Sequence, residues 1–172
     1  KTAFAVLVVL PGALLAGEIW PEPAQRGGVP GVAGQVGWVG FIRENRTDGR
    51  PIVCLPFAAG NSVRDFDMTV RWMCYGLEHG APLLNGYSGF FPRSYFELRN
   101  LVNREFPSAA VIDRFGELNV EYLVVPRQYC VPGVLLDSSN GSERLELVYE
   151  DQTGIDVYRL RAEPGGSTQA IR

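Results

Sequence analysis

Asn119-Val120-Glu121-Tyr122-Leu123-Val124-Val125-Pro126 is a short, nearly uninterrupted apolar run stopped by proline, and its reading decides the fold class. A strand with one wet face alternates apolar and polar residues, whereas a strand covered on both faces, as in a parallel sheet, reads as a continuous run. Arg50-Pro51-Ile52-Val53-Cys54-Leu55-Pro56 has the same character, which makes Cys54 a small core hydrophobe. Parallel neighbours need a long connection, and the chain between the two runs carries helical stripes, so strand, helices, strand reads as a right-handed crossover. Arg144–Glu150 (RLELVYE) and Ile155–Leu160 (IDVYRL) alternate instead, on either side of Asp151-Gln152-Thr153-Gly154. They predict an antiparallel hairpin with one wet face. The expected domain, 35–162, is α/β: a small mixed sheet with flanking helices, in two or three layers, ending in that hairpin.

The helical stripes are placed by spacing and caps. Val36, Val39 and Ile42, with Trp38 and Phe41 beside them, predict a short amphipathic helix over 35–45, and Asp48-Gly49 turns the chain out of it. After Gly60-Asn61, Asp65 is positioned to cap a helix whose core face is Phe66, Val70, Met73 and Leu77, with Gly80 as its stop. Ser94 is the expected cap of a third helix, with Tyr95, Leu98, Leu101 and Val102 inward and an end at Phe106-Pro107. Ser108 opens a fourth, carrying Val111, Ile112, Phe115 and Leu118.

The chain has 172 residues, 46% hydrophobic and 20% charged, enough for one domain with a real core. A net charge of −3, with the basic residues scattered, gives no footprint for a phosphate backbone, so nucleic acid is not an expected partner. Three well-separated cysteines, Cys54, Cys74 and Cys130, allow at most one bridge, and with a single histidine they form no metal-ligand cluster. No cofactor or metal is expected.

Ala3–Gly17 (AFAVLVVLPGALLAG) is apolar and uncharged, preceded by Lys1 and followed by Ile19, Trp20 and Pro21-Glu22-Pro23. Fifteen helical residues rise about 22 Å against a hydrocarbon core of roughly 30 Å, and including Ile19 and Trp20 brings the run near the lower spanning limit. The end of a last transmembrane helix over 1–20 is the favoured reading, with Lys1 cytoplasmic and Trp20 at the far interface. A signal peptide and a buried segment of the domain are the alternatives. The Pro/Gly-rich stretch 21–34 reads as a linker, and 163–172 as a flexible tail.

The most unusual composition lies in Leu83-Leu84-Asn85-Gly86-Tyr87-Ser88-Gly89-Phe90-Phe91-Pro92. Asn85-Gly86 signals a turn because both residues tolerate positive φ. Large rings are costly to leave wet, so Tyr87, Phe90, Phe91 and the nearby Tyr95 either plug a core or form a binding platform. As a platform they offer flat faces to sugar rings, with Asn85 and Ser88 for hydroxyl groups. His79, at the end of the preceding helix, is read as a capping or dipole-complementing residue and is included as a binding candidate.

The hydrophobic span ending in Leu-Ala-Gly-Glu, the proline-rich arm, the helix ending in Glu-His-Gly, the Pro-Leu-Leu-Asn-Gly-Tyr-Ser-Gly-Phe-Phe-Pro loop, the Phe-Gly-Glu-Leu-Asn-Val-Glu-Tyr-Leu-Val-Val strand and the Val-Tyr-Arg-Leu hairpin together resemble the C-terminal extramembrane portion of certain bacterial multi-pass membrane proteins. That group is similar to C-type glycosyltransferases, the dolichyl-phosphate-mannose mannosyltransferase-like enzymes that use polyprenyl-phosphate sugars. The resemblance covers most of residues 3 to 160. It implies a membrane location, with the soluble part extracytoplasmic, the bilayer as a partner through residues 3–20, and a polyprenyl-linked sugar or glycan acceptor as ligand. The group's catalytic acid lies in an early external loop that this chain lacks, so no catalytic residue is carried over. The implied role is non-catalytic: covering a membrane-embedded site or holding an acceptor.

Two readings from other classes stand beside it. One is a purely structural interaction domain. The other is a hydrolase using Cys54 or Ser88 with His79 and one of Asp65, Asp67 or Asp113. Ser88 misses the spacing of a Gly-x-Ser-x-Gly elbow, and Cys54 does not precede a helix N-terminus.

Overall fold

A computed structural model describes residues 37–86, 90–130 and 142–161. The chain divides into two units, Lys1–Gly31 and Val32–Arg172, and the description below concerns the second. The expected membrane span at 1–20, the linker at 21–34, the tail at 163–172, and Tyr87 and Ser88 lie outside the described residues. Among the described residues no helix is long and apolar enough to cross a membrane.

The fold is mixed α/β. Four strands, β1 (Ile52–Cys54), β2 (Tyr122–Pro126), β3 (Leu145–Glu150) and β4 (Ile155–Leu160), form one sheet in the order β1-β2-β4-β3. β1 and β2 are parallel, with Ile52 opposite Tyr122, while β4 is antiparallel to both β2 and β3. The helices are α1 (Gly37–Asn45), α2 (Asp67–His79), α3 (Arg93–Glu105) and α4 (Ala109–Glu117).

Strand periodicity divides the core in two. Val53, Leu55, Leu123, Val125, Tyr158 and Leu160 pack with α3 and α4, through residues such as Leu98, Val102, Ile112 and Phe115. Ile52, Cys54, Tyr122, Val124 and Val157 point the other way, onto Trp38 and Ile42 of α1 and Trp72 of α2. The result is a three-layer arrangement with the sheet in the middle.

That layering corrects the expectation of a wet face on the hairpin. β4 is an inner strand, and Asp156, Val157 and Tyr158 are all buried. A register shift between Leu147 and Tyr149 inserts Val148 as an extra residue, so Val148 and Tyr149 both pack on the α1 side, where Tyr149 stacks on Phe41 at 5.0 Å.

α2 departs further from the sequence reading. Its buried residues are Thr69, Trp72 and His79, whereas Val70 is 48% and Leu77 88% exposed. The helix is turned so that Trp72 and Tyr75 meet Trp38, at ring separations of 5.9 and 5.2 Å. Two indoles, a phenol and an imidazole bury more area together than the Val70/Leu77 stripe would. Asp65 does not cap this helix directly: it closes a capping box with Ser62 at a short 3-10 turn, Val63–Phe66, that leads into it. Gly80 ends α2 at φ 67°, as expected. α3 begins one residue before Ser94, with Pro92 as N-cap, and Ser108 precedes α4.

Candidate functional site

The aromatic loop is built on the open edge of β1. Ile52 donates its N–H to the Pro82 carbonyl at 2.8 Å and accepts from Leu84 N–H at 2.9 Å, so residues 82–84 run beside β1 like a short fifth strand. Asn85 then continues the ladder with its side chain. Its Oδ1 accepts from Cys54 N–H at 3.2 Å and its Nδ2 donates to the Cys54 carbonyl at 2.5 Å. Asn85 is therefore buried and fully engaged. Neither Asn85 nor Gly86 uses the positive φ that both tolerate: among the described residues positive φ occurs at Gly49, Gly80, Asn119 and Gly154. The side chain of Asn85, rather than its backbone freedom, is what the turn uses.

Beyond the loop, Phe91 is sandwiched between Phe66, at 5.5 Å, and Tyr95, at 4.4 Å, with Phe96 edge-on. Tyr95 is buried, its hydroxyl has no hydrogen-bond partner among the described residues, and burial pushes its ionisation up. These two rings plug the α3 side of the core. Phe90 is instead 80% exposed. A cleft of about 420 Å³ opens between Leu83, Leu84 and Gly86 on one wall, Phe91, Tyr95 and Leu98 on another, and Arg114 and Leu118 of α4 on the third. Its lining is mainly apolar, with Ser94 and Arg114 at hand for polar contacts, and Arg114 itself pairs with Glu117. Of the candidates named from sequence, Phe91 and Tyr95 belong to this cleft, Asn85 supports its wall from behind, and Phe90 stands beside it in sequence. Arg114 and Leu118 were missed, because nothing in local spacing brings α4 to a loop some thirty residues earlier.

His79 lies elsewhere. It is buried against Trp38, at 5.9 Å between ring centroids, and its Nδ1 accepts from Ala81 N–H at 3.0 Å. The proton of the neutral ring therefore sits on Nε2, which has no acceptor among the described residues. Burial, reinforced by the nearby Arg46, lowers its pKa to about 4. So His79 is a neutral capping residue of the turn after α2, not a cation complementing the helix dipole.

Ser88 lies outside the described residues; among the described ones, Cys54, His79 and the three aspartates are not brought together as a hydrolase set. Cys54 is completely buried in β1, and burial pushes its thiol well above the ordinary range, which removes the thiolate that nucleophilic attack needs. Asp65 accepts from Ser62, Asp67 pairs with Arg71, and Asp113 pairs with Arg144 on the far side of the molecule. None of Cys54, Cys74 and Cys130 is joined in a disulfide, and no metal-binding group of three or more ligands occurs among the described residues.

A groove of about 490 Å³ holds three arginines at the carboxyl end of α4, but each is occupied. Arg144 pairs with Asp113, Arg161 with Glu146, and Arg50 donates to the carbonyls of Asn119 and Val120. With Asp113 and Glu117 in its wall and helix carbonyls facing it, this groove is a poor anion site. Comparison with models of known families, with curated proteins and with solved structures finds no match for this chain.

Proposed function

We propose that the described domain is a non-catalytic extramembrane part of a glycosyltransferase-like membrane protein, covering a membrane-embedded site or holding a glycan acceptor. The observation that carries the reading is the cleft beside the aromatic loop: a preformed concave surface with ring faces and a few polar groups, whose lining residue Phe91 is preceded in sequence by the exposed Phe90. The non-catalytic part is supported by the buried, protonated thiol of Cys54 and by the separate engagement of every carboxylate proposed to orient His79.

A second reading, a purely structural cover, is favoured by the plugging of Phe91 and Tyr95 and the complete burial of Asn85. Binding separates the two. Titrating the chain with a panel of soluble glycans and with a polyprenyl-phosphate sugar in micelles, followed by calorimetry, should give saturable heat under the acceptor reading. Phe90→Ala and Arg114→Ala should weaken that binding about tenfold while changing stability by under roughly 0.5 kcal/mol, as surface substitutions do. Absence of binding to the whole panel removes the acceptor role and leaves the cover.

A further inference from the structure

A third concavity, of about 290 Å³, lies at the carboxyl end of β2, between α2 and the β3–β4 turn. In open α/β sheets with parallel strands, the crevice outside the carboxyl ends is where ligands bind, because the strands end there and side chains from several elements converge. Here the aromatic wall is Trp72 and Tyr75 of α2. The polar groups are Arg71, Arg127, Gln128 and Thr153. In contrast to the arginine groove, no carboxylate lines it among the described residues.

We propose that this crevice binds a small ring compound bearing a carboxylate or phosphate. Arg127 is held rigidly: it is ion-paired to the buried Asp156, with Nε at 2.8 Å and Nη2 at 2.6 Å from one carboxylate oxygen, and its Nη2 also donates to the Asp151 carbonyl at 3.1 Å, while Nη1 donates to no protein group among the described residues. Arg71 approaches from the opposite wall, steadied one helical turn away by Asp67 at 3.2 Å. Trp72 is almost entirely buried, and its indole N–H has no acceptor among the described residues. Asp67 and Asp156 hold the two guanidinium groups from outside the lining, so, unlike in the arginine groove, no carboxylate stands in the wall among the described residues, and the remaining N–H groups offer charge-assisted bonds to an oxyanion. The Trp72 and Tyr75 rings, 6.1 Å apart and tilted, select a flat or ring-shaped body beside it. The inference is independent of the acceptor role, which rests on the other cleft.

The test uses the full chain and four probes: glucuronate, glucose 6-phosphate, benzoate and, as the neutral control, glucose. Indole fluorescence and backbone amide shifts are followed on titration to about 10 mM, weaker than most physiological recognition. At least one anion should bind saturably, shifting Gln128, Thr153 and Gly154, with glucose at least about tenfold weaker; the carboxylate and phosphate arms distinguish the sources. Arg71→Gln, whose exposed ion pair contributes little to folding, should weaken binding about tenfold with an unchanged circular dichroism spectrum. Failure of all three anions to bind, equal binding of glucose, shifts confined to other surfaces, or an Arg71→Gln variant matching the wild type would each overturn the proposal.

Discussion

The carboxamide of Asn85 substitutes for a strand backbone: it meets both the N–H and the carbonyl of Cys54, at 3.2 and 2.5 Å, and so closes the edge of β1. The two Cys54 groups are buried, where no water replaces a lost partner. Asn85→Ala should therefore cost roughly 2–5 kcal/mol of unfolding free energy, since each orphaned buried group costs about 1–3. Asn85→Asp keeps the acceptor but loses the donor and adds a buried charge, and should be no better tolerated. Urea unfolding monitored by indole fluorescence measures both; a loss below about 0.5 kcal/mol for Asn85→Ala would show that the edge does not need this pair. Gly86→Ala, by contrast, should be mild, because an added Cβ meets its nearest atom, the Leu83 carbonyl oxygen, at an ordinary 3.7 Å.

The buried face of α2 offers a second measurement. Leu77→Ala should change stability by less than about 0.5 kcal/mol, while Trp72→Ala should cost about 3–5 kcal/mol, the usual range for deleting a large core ring. Equal costs would mean that the helix sits as its Val70/Leu77 stripe suggests.

This helix also marks where sequence reading stops. The continuous runs around Val53 and Val124 made a parallel pair legible, and the alternation around Leu147 and Val157 made the hairpin legible, because strand burial follows a period of two. Local hydrophobicity favoured Val70 and Leu77, but Thr69, Trp72 and His79 were chosen by a partner, Trp38, distant in sequence. The same limit explains the cleft. Phe91 and Tyr95 announced themselves by composition, whereas Arg114 and Leu118 reach it only through the packing of α4. The coverage of β4 by α1, which removes the expected wet face, is likewise a tertiary fact with no local signature.

His79 should make the fold acid-labile. Its pKa is lowered from 6.5 to about 4, so the neutral form is favoured in the folded state. The contribution is fully present above pH 6.5 and is lost as pH falls toward 4, in total about 3 kcal/mol at 1.36 kcal/mol per unit. Protonation places a proton on Nδ1, which then cannot accept from Ala81 N–H. His79→Asn retains an acceptor near that position but does not titrate. Urea midpoints between pH 7.5 and 4.5 should fall more steeply for the wild type than for His79→Asn; parallel profiles would assign the acid sensitivity to the carboxylates instead.

Asp151 ties the hairpin turn to the start of α1. Its Oδ2 accepts from Trp38 N–H at 2.9 Å, serving a first-turn donor that the helix itself cannot pair, and its Oδ1 accepts from Thr153 N–H at 2.7 Å. The side chain comes from a position more than a hundred residues away, so the cap is a tertiary clamp rather than a local motif. Asp151→Ala leaves both donors without their partner. Thr153 is exposed and turns to water, while Trp38 is fully buried, so the loss falls mainly on the Trp38 N–H. The expected cost is about 1–3 kcal/mol, with Asp151→Asn intermediate because one amide oxygen replaces two carboxylate oxygens. Hydrogen exchange distinguishes this clamp from a general loss of stability. The amides of Trp38 and Val39 should lose protection in Asp151→Ala well before those of Leu123 and Val124 in the central strand, whereas uniform loss across all four would mean that Asp151 acts on global stability alone.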